Sequence, residues 1–308
     1  MRPRSMAFSG ALLILGALAL GTAALGQTSA ADELKQVISG LRSEGANLTA
    51  EEYAARAERA FLAFGKKHAA EPEGALAHLY LGSIFVSIGS HEKAAREIEA
   101  YLRAPVEKKP AELAQAKYFA GSTYLALERF DEAEKALSDV VEMGSSADAR
   151  LVQMASVDME RIPTLRKLKS GNPAPEISVV SSKGLRIKLS EYRGKVVLLD
   201  FWAAWCMPCR MEMPNVIEVY EKHHPKGFEI IGVSLDSDRG QFESFVKTNA
   251  MTWPQIYDGK KWDSEVGRLY GVTSIPATYL IDKQGKIRYH NLRGEQLAPA
   301  VERLLGEK

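Results

Sequence analysis

The two cysteines of the chain lie close together, and their spacing limits the chemistry that they can do. Cys206 and Cys209 are the only cysteines among 308 residues, and they stand in the segment "DFWAAWCMPCR" at 200–210. A Cys-x-x-Cys pair can supply half of a metal site, form a static cross-link, or act as a redox couple. Each interpretation makes a different demand on the rest of the sequence.

A metal site and a structural cross-link both fit the sequence poorly. A structural zinc site needs about four ligands, and none of the six histidines stands at ligand spacing from the cysteine pair. A cross-link across two residues closes a very small loop, which removes the least entropy from the unfolded chain. We therefore expect no metal and no cofactor other than a redox-active Cys206–Cys209 disulfide.

The predicted elements around the pair favour a redox couple. The apolar run "KVVLLDFW" at 195–202 predicts a buried strand, and a helix is expected from about 207 to 223. Cys206 would stand at the helix N-terminus, where unpaired N–H groups and the helix dipole stabilise a thiolate. Cys209 follows one turn later, so we expect Cys206 to attack and Cys209 to resolve the mixed disulfide. Pro208 is tolerated because the first helical turn does not need its N–H.

The C-terminal part has the pattern of an α/β domain. Short strands are predicted at "EISVV" and "LRIKL", and a second buried strand is predicted at "FEIIGVSL". A helix is expected at "GQFESFVKTN", a hairpin around "KQG", and a closing amphipathic helix at "EQLAPAVERLL". This order predicts a mixed central sheet with helices on both faces.

The region from 32 to 168 is predicted to be helical throughout, and it contains an internal repeat. Pro163 is among the prolines that are expected to end helices. When Gly82 is aligned with Gly121, small and aromatic residues fall at matching offsets in two copies 39 residues apart. The pattern resembles the tetratricopeptide repeat, with a plain bundle of helical hairpins as the alternative. Stacked repeats usually present a concave surface, so we expect this region to bind a protein or peptide.

A segment with glycine and two prolines separates the halves. "LKSGNPAPEIS" at 168–178 stops the helical pattern and makes a stiff connector. We therefore predict an all-α helical repeat domain at 31–168, a linker at 169–176, and an α/β domain at 177–308.

Residues 1–30 have the pattern of an export signal. Arg2 and Arg4 precede the apolar run "ALLILGALALGTAAL" at 11–25, and small residues follow. The run is shorter than the ~20 residues that a spanning helix needs, which favours a cleaved signal peptide over an uncleaved membrane anchor. In either case we expect export to the periplasm or cell envelope, where disulfide chemistry operates. The formal net charge of +1 argues against nucleic-acid binding.

Four stretches, in order, resemble the exported TlpA/ResA-like thiol-disulfide oxidoreductases, which have a thioredoxin-like fold. They are "GNPAPEISVVSSKG", "LSEYRGKVVLLDFWAAWCMPCRMEMP", "IIGVSLD" and "SIPATYLIDKQGKI". The resemblance covers about 172–294 and leaves out the helical half. It implies that the α/β domain is thioredoxin-like and that "WCMPC" is its active-site motif.

The resemblance also implies two acidic groups beside the pair. Asp200 matches a buried acid that exchanges a proton with the second cysteine, and Cys209 must lose a proton before it can attack. Glu212 matches an acid that these proteins keep beside the site. The structural alternatives are an aspartate in a local hydrogen bond and an ordinary surface glutamate. Thioredoxins place a lysine near the buried acid, but "FEIIGVSLD" has none, so we expect Asp200 to ionise less readily.

The substrate groove is assigned by the same resemblance. Pro276 in "SIPAT" matches the family's cis-proline, whose loop lies against the cysteine pair and pairs with the substrate backbone. We expect Trp205, Met207, Pro208 and Ile275 to line the groove. The alternative for Trp205 is a tryptophan packed in the core.

These features predict an exported enzyme that reduces disulfides in client proteins. The resemblance implies maturation of c-type cytochromes or copper sites as uses, and a membrane thiol reductase as electron donor. An oxidase or isomerase stays open, because direction depends on the relative stabilities of thiolate and disulfide. A thiol peroxidase is discounted because the chain has no third cysteine. The alternative of another class is a protein-binding adaptor, in which the helical repeats recruit clients and the redox domain is auxiliary.

Overall fold

The structure, a computed structural model, describes residues 28–45 and 48–307. The chain divides into two compact units, the first extending to Ile162 and the second beginning at Pro163. The apolar run at 11–25, on which the predicted leader depends, lies outside the described residues. Among the helices that are described, none is both long and apolar enough to cross a membrane.

The first unit is helical. The helices that begin in its described part are α1 (Ala30–Glu44), α2 (Ala50–Lys67), α3 (Pro72–Ser87), α4 (His91–Arg103), α5 (Pro110–Ala126), α6 (Phe130–Glu142) and α7 (Ala149–Lys167). The expectation for Pro163 was wrong, because this residue lies inside α7. A proline inside a helix removes one backbone hydrogen bond, and α7 continues past it for one more turn. The boundary between the two units falls at this proline.

The two copies of the repeat share the same close contact. A Cβ added at Gly82 would lie 2.7 Å from Cγ1 of Ile98, and one added at Gly121 would lie 2.6 Å from Leu137. Each glycine thus lets the first helix of a hairpin approach the second. The contacts recur at the spacing predicted from the sequence, and the assignment to the tetratricopeptide class stays a prediction.

The turns inside the two hairpins also match. Gly89 has a φ of 71° and Glu128, its equivalent, has a φ of 56°. Glycine adopts this left-handed conformation freely, whereas other residues do so at a cost of roughly 1–2 kcal/mol. The backbone geometry of the turn is therefore common to both copies although the residue differs.

The second unit contains a five-stranded mixed sheet in the order β5-β4-β3-β6-β7. Strands β3, β4 and β5 are parallel, while β6 is antiparallel to β3 and to β7. The short strands β1 (Ser178–Val180) and β2 (Arg186–Lys188) form a separate hairpin. The remaining elements are β3 (Val196–Trp202), α8 (Met207–His223), β4 (Phe228–Ser234), α9 (Arg239–Thr248), β5 (Gln255–Tyr257), α10 (Glu265–Leu269), β6 (Ala277–Ile281), β7 (Ile287–His290) and α11 (Leu297–Gly306). The predicted architecture, a helical domain followed by a thioredoxin-like domain with a mixed sheet, is confirmed.

The central strand β3 distributes its side chains between two core layers. Leu198 and Trp202 belong to the apolar cluster that includes α8 and α11, whereas Val197 and Leu199 belong to the cluster that includes α10. Successive side chains of a strand point to opposite faces of the sheet. Asp200 stands between Leu198 and Trp202 in this alternation, so its carboxylate faces the side of α8.

We expect Gly121→Ala to lower the free energy of unfolding of the helical unit by about 1–3 kcal/mol, the usual cost of overpacking. The added methyl group would meet carbons of Leu137 at 2.6 Å. Urea unfolding of the full chain, followed by far-ultraviolet circular dichroism, measures the change.

Gly40→Ala in α1 is the matched control, because an added Cβ there meets nothing within 4 Å. Alanine has a higher helix propensity than glycine, so this variant should be as stable as the wild type or slightly more stable. A similar loss in both variants would contradict the close packing at Gly121.

Candidate redox-active site

The cysteine pair lies at the junction between β3 and α8. Cys206 is the N-cap of α8, and its Sγ accepts a hydrogen bond from the backbone N–H of Cys209 at 3.2 Å. Pro208 occupies the first helical turn, where its missing N–H leaves no bond unmade. The two sulfur atoms are joined in a disulfide. A thiolate at Cys206 would accept a hydrogen bond from the Cys209 N–H, which has no partner within the helix, and would lie at the positive end of the helix dipole.

The loop before β6 packs against the disulfide. The Ile275–Pro276 peptide bond is cis, and the carbonyl oxygen of Ile275 lies 3.7 Å from Sγ of Cys206. The sulfur has no hydrogen in the disulfide form, so this is a packing contact. Cys206 is only 4% exposed and Cys209 2%. Both sulfur atoms are therefore largely shielded from solvent, and the proline loop contributes to this shielding at Cys206.

Asp200 is buried beside the second cysteine. It is 4% exposed and lines the same cleft as Cys209 and Pro276. Burial raises the pKa of Asp200 to about 7, and the nearby Glu212 carboxylate adds to this effect. Its Oδ2 atom has no hydrogen-bond partner among the described residues. A carboxyl group in this state can exchange a proton near neutral pH.

No positive charge faces Asp200 from the neighbouring strands. Its partners in register are Gly232 on β4 and Thr278 on β6. Because neither of these residues is charged, no ion pair with them offsets the effect of burial on the pKa of Asp200. This agrees with the expectation that Asp200 ionises less readily than an acid beside a lysine.

Glu212 is held in a fixed position at the mouth of the cleft. Its Oε1 accepts hydrogen bonds from Nδ2 of Asn215 and from the backbone N–H of Gly294, both at 2.7 Å. The first bond lies within α8, and the second connects α8 to the segment that precedes α11. Glu212 and Asp200 line one cleft together with Cys209.

Arg293 completes this cleft and was not predicted from the sequence. Its Nη2 donates a hydrogen bond to the carbonyl oxygen of Pro276 at 2.5 Å. The guanidinium therefore supports the proline loop. Arg293 lies outside all of the stretches that resemble the family closely, so only the pairing of β7 with β6 brings it near the cysteines.

Asp236 holds the loop that precedes Cys206 and was also not predicted. Its two carboxylate oxygens each lie 3.0 Å from the backbone N of Ala204, and Ser234 Oγ donates to Oδ2 at 2.9 Å. A signal for it was available in "IIGVSLD", because the carboxyl ends of parallel strands meet at one edge of a sheet. Asp236 is 1% exposed, so the loop is anchored from within the fold.

The predicted groove residues differ in exposure. Trp205 is 46% exposed and Met207 61%, so Trp205 is a surface residue beside Cys206 and not part of the core. Pro208 is exposed and Ile275 is half-buried. All four therefore have surface that is accessible to solvent, and their role in a substrate groove stays a prediction.

We expect the Asp200→Asn variant to differ from the wild type in the pH dependence of its stability. Asp200 ionises near pH 7 in the folded protein and near its ordinary value of 3.8 in the unfolded chain. Between these values the folded state binds more protons, so the contribution of Asp200 to stability falls as pH rises from about 4 to about 7. This loss in the free energy of unfolding can reach about 4 kcal/mol. The Asp200→Asn variant should not show the loss.

Urea unfolding of the oxidised protein, followed by tryptophan fluorescence, measures this difference, since all four tryptophans lie in the second unit. The amide of the variant adds a constant offset, so the slope against pH is the readout. Asp238→Asn is the control, because asparagine caps α9 as well as aspartate does. Parallel curves for wild type and Asp200→Asn would contradict the raised pKa.

Two solved structures illustrate the similarity of the second unit to known proteins. The thioredoxin domain of a thiol-disulfide oxidoreductase from Bacteroides vulgatus is 34% identical, with a TM-score of 0.42, over 45% of this chain and 99% of that domain. A thiol:disulfide interchange protein from Bacteroides sp. is 32% identical, with a TM-score of 0.42, over 46% of this chain and 93% of that protein.

Sequence relatives identify the family. Residues 170–290 match the AhpC/TSA family. Thiol-disulfide oxidoreductase ResA of Bacillus thuringiensis subsp. konkukian is 37% identical over 139 residues, which are 45% of this chain and 78% of the relative. ResA of Bacillus subtilis is 32% identical over 120 residues, 39% of this chain and 65% of the relative. With a disulfide-bonded Cys-x-x-Cys pair at the start of α8, the chain belongs to the ResA-like family of thiol-disulfide oxidoreductases.

Proposed function

We propose that the protein is an exported reductase of client-protein disulfides, in which Cys206 attacks and Cys209 resolves. The observation that carries the proposal is the cleft that the buried Asp200 carboxyl shares with Cys209, directly behind the N-cap cysteine. This arrangement separates a nucleophile at the surface edge from a proton acceptor in the interior.

In the first step, the Cys206 thiolate attacks one sulfur of a client disulfide. The client S–S bond breaks, a disulfide between Cys206 and the client forms, and the other client sulfur leaves as a thiolate that takes a proton from water. The thiolate at Cys206 is stabilised by the N–H of Cys209 and by the helix N-terminus.

In the second step, Cys209 must become a thiolate in a place with little access to water. Asp200, whose pKa is raised to about 7, accepts the thiol proton near neutral pH. Cys209 then attacks Sγ of Cys206, the mixed disulfide breaks, and the second client sulfur leaves and is protonated. The client gains two electrons, and the Cys206–Cys209 disulfide described above is the product.

The charges around the pair favour the reducing direction. Glu212 lines the cleft, and Asp200 adds a second negative charge once it ionises above about pH 7. Arg293 lines the same cleft, but its guanidinium donates to the carbonyl oxygen of Pro276. Met207 and Pro208 bring no positive charge between the cysteines. Negative charge beside a thiolate raises its free energy, so the disulfide is favoured over the dithiol. A pair of this kind has a low reduction potential and acts as an electron donor.

The cellular setting of this reaction is proposed from the sequence. The leader at 1–30 supports export to the periplasm or cell envelope, with the membrane anchor as the alternative. A membrane thiol reductase would return electrons to the pair, and c-type cytochromes or copper sites would be clients, as the resemblance implies. The repeated hairpins of the first unit support a role in binding a protein or peptide.

Cys209→Ser should trap clients as mixed disulfides at Cys206, because serine cannot resolve them. The full-length variant, isolated from cells under conditions that block free thiols, should show higher-mass species on a non-reducing gel. These species should disappear on reduction. The proteins that reduction releases are the clients to be identified.

The double variant Cys206→Ser, Cys209→Ser is the matched control and should trap nothing. If the single variant also traps nothing, the dithiol mechanism is contradicted. If the double variant still binds the same partners without a covalent bond, and its cells lack a phenotype, the adaptor alternative is favoured.

We expect the reduction potential of the pair to lie near thioredoxin's ~−270 mV, whereas a value near ~−120 mV would contradict the reducing direction. Glu212→Gln removes a negative charge from the cleft and should make the potential less negative by about 10–30 mV, up to a tenfold change in the equilibrium constant. Glu218→Gln, on the exposed face of α8, is the control and should leave the potential unchanged. Equilibration with glutathione buffers gives these values.

A further inference from the structure

A second tryptophan stands beside the active-site tryptophan. Trp262 is 43% exposed and Trp205 46%, and their rings meet edge to face with centroids 6.0 Å apart. Large aromatic side chains that stay exposed next to each other mark recognition surfaces more often than isolated ones do. Trp262 belongs to the segment between β5 and α10, so the pair joins two separate parts of the second unit.

The backbone around Trp262 is fixed by local hydrogen bonds. Oδ1 of Asp258 accepts from the N–H of Lys260 at 2.9 Å, and Oδ2 accepts from the N–H of Glu265 at 3.3 Å. Lys261 has a φ of 52°, a left-handed conformation that non-glycine residues seldom adopt. The turn therefore presents Trp262 in a defined position.

Two further apolar side chains are exposed near Cys206. Met207 is 61% exposed and Met211 56%, and they lie one turn apart on α8. Together with the two tryptophans they are four of the ten large apolar side chains that the described residues expose. Methionine adapts its shape to different partners, whereas the two tryptophans are comparatively rigid.

We propose that Trp262 is a specificity-determining residue. Together with Trp205 it forms an exposed aromatic surface that contacts a large apolar or aromatic side chain in an extended client segment. This inference rests on the proposed function, because attack by Cys206 is what brings such a segment to the two tryptophans.

The reach of the client chain supports this placement. Trp205 directly precedes Cys206 in the sequence, so their Cα atoms are about 3.8 Å apart. An extended client residue lies about 3.3–3.6 Å further for each position away from its own cysteine. A residue one or two positions from the attacked cysteine is therefore within reach of the Trp205 side chain, and Trp262 is the direct neighbour of Trp205, with ring centroids 6.0 Å apart.

The test uses synthetic peptides that carry one cysteine each and are oxidised to disulfide-linked dimers. One series has phenylalanine one or two positions before or after the cysteine, and the matched series has glycine there. Reduced full-length protein converts each dimer to two peptide thiols and becomes oxidised at Cys206–Cys209. Single-turnover rates are measured from the released thiol peptide.

The wild type should reduce at least one phenylalanine peptide about two- to tenfold faster than its glycine match, the range expected for one aromatic contact. Trp262→Ala should bring this ratio close to one, and Trp262→Phe should keep most of it. Leu185→Ala, which removes an exposed apolar side chain from the β1–β2 hairpin, should leave the ratio as in the wild type.

Three results would overturn the inference. The first is that Trp262→Ala lowers the rates for the phenylalanine and glycine peptides equally and leaves their ratio unchanged. This result would indicate a purely structural role for Trp262. The second is a wild type that reduces oxidised glutathione and both peptide series without preference, which leaves the proposed function standing. The third is that the wild type sediments as a dimer and the Trp262→Ala variant as a monomer. This result would assign the two tryptophans to an interface with a second copy of the chain. Failure to reduce any disulfide, glutathione included, would overturn the proposed function itself.

Discussion

The burial of one uncompensated carboxyl group on β3 sets the character of the site. Every residue of this strand is buried, and the alternation of its side chains directs Asp200 toward the helix that carries the cysteines. Because no charged residue opposes it on β4 or β6, the carboxyl retains its proton to about pH 7. The fold thereby keeps a carboxyl group that titrates near neutral pH in the cleft that Cys209 lines, at a cost in stability that grows with pH.

The chemistry of the site could be predicted from the sequence because most of it is contiguous. Cys206 and Cys209 lie at the start of one helix, and their spacing indicates a redox pair. Asp200 lies on the strand just before them, and its role was assigned through the resemblance to the family. Asp236, Arg293 and Trp262 come from other segments and meet the loop or the cleft only through strand register and turn geometry. Arg293 and Trp262 carry no local pattern, whereas the position of Asp236 at the end of a buried parallel strand was a signal that went unused.

The helical half shows the same division between local and tertiary information. The repeated glycines were visible as a spacing, and the structure gives the reason, since each lies against a branched side chain of the next helix. Pro163 was misjudged because a proline disfavours a helix interior without forbidding it. In α7 the helix tolerates the lost hydrogen bond and continues to Lys167.

Two adjacent residues connect the opposite walls of the cleft. Arg293 binds the carbonyl oxygen of Pro276 through its side chain, and Gly294 binds Glu212 through its backbone N–H. The proline loop and helix α8 are thus both hydrogen-bonded to the same two consecutive residues. The positions of the proline loop and of the Glu212 carboxylate therefore depend on the same short backbone segment. A substitution at Arg293 or Gly294 would disturb both walls of the cleft at once.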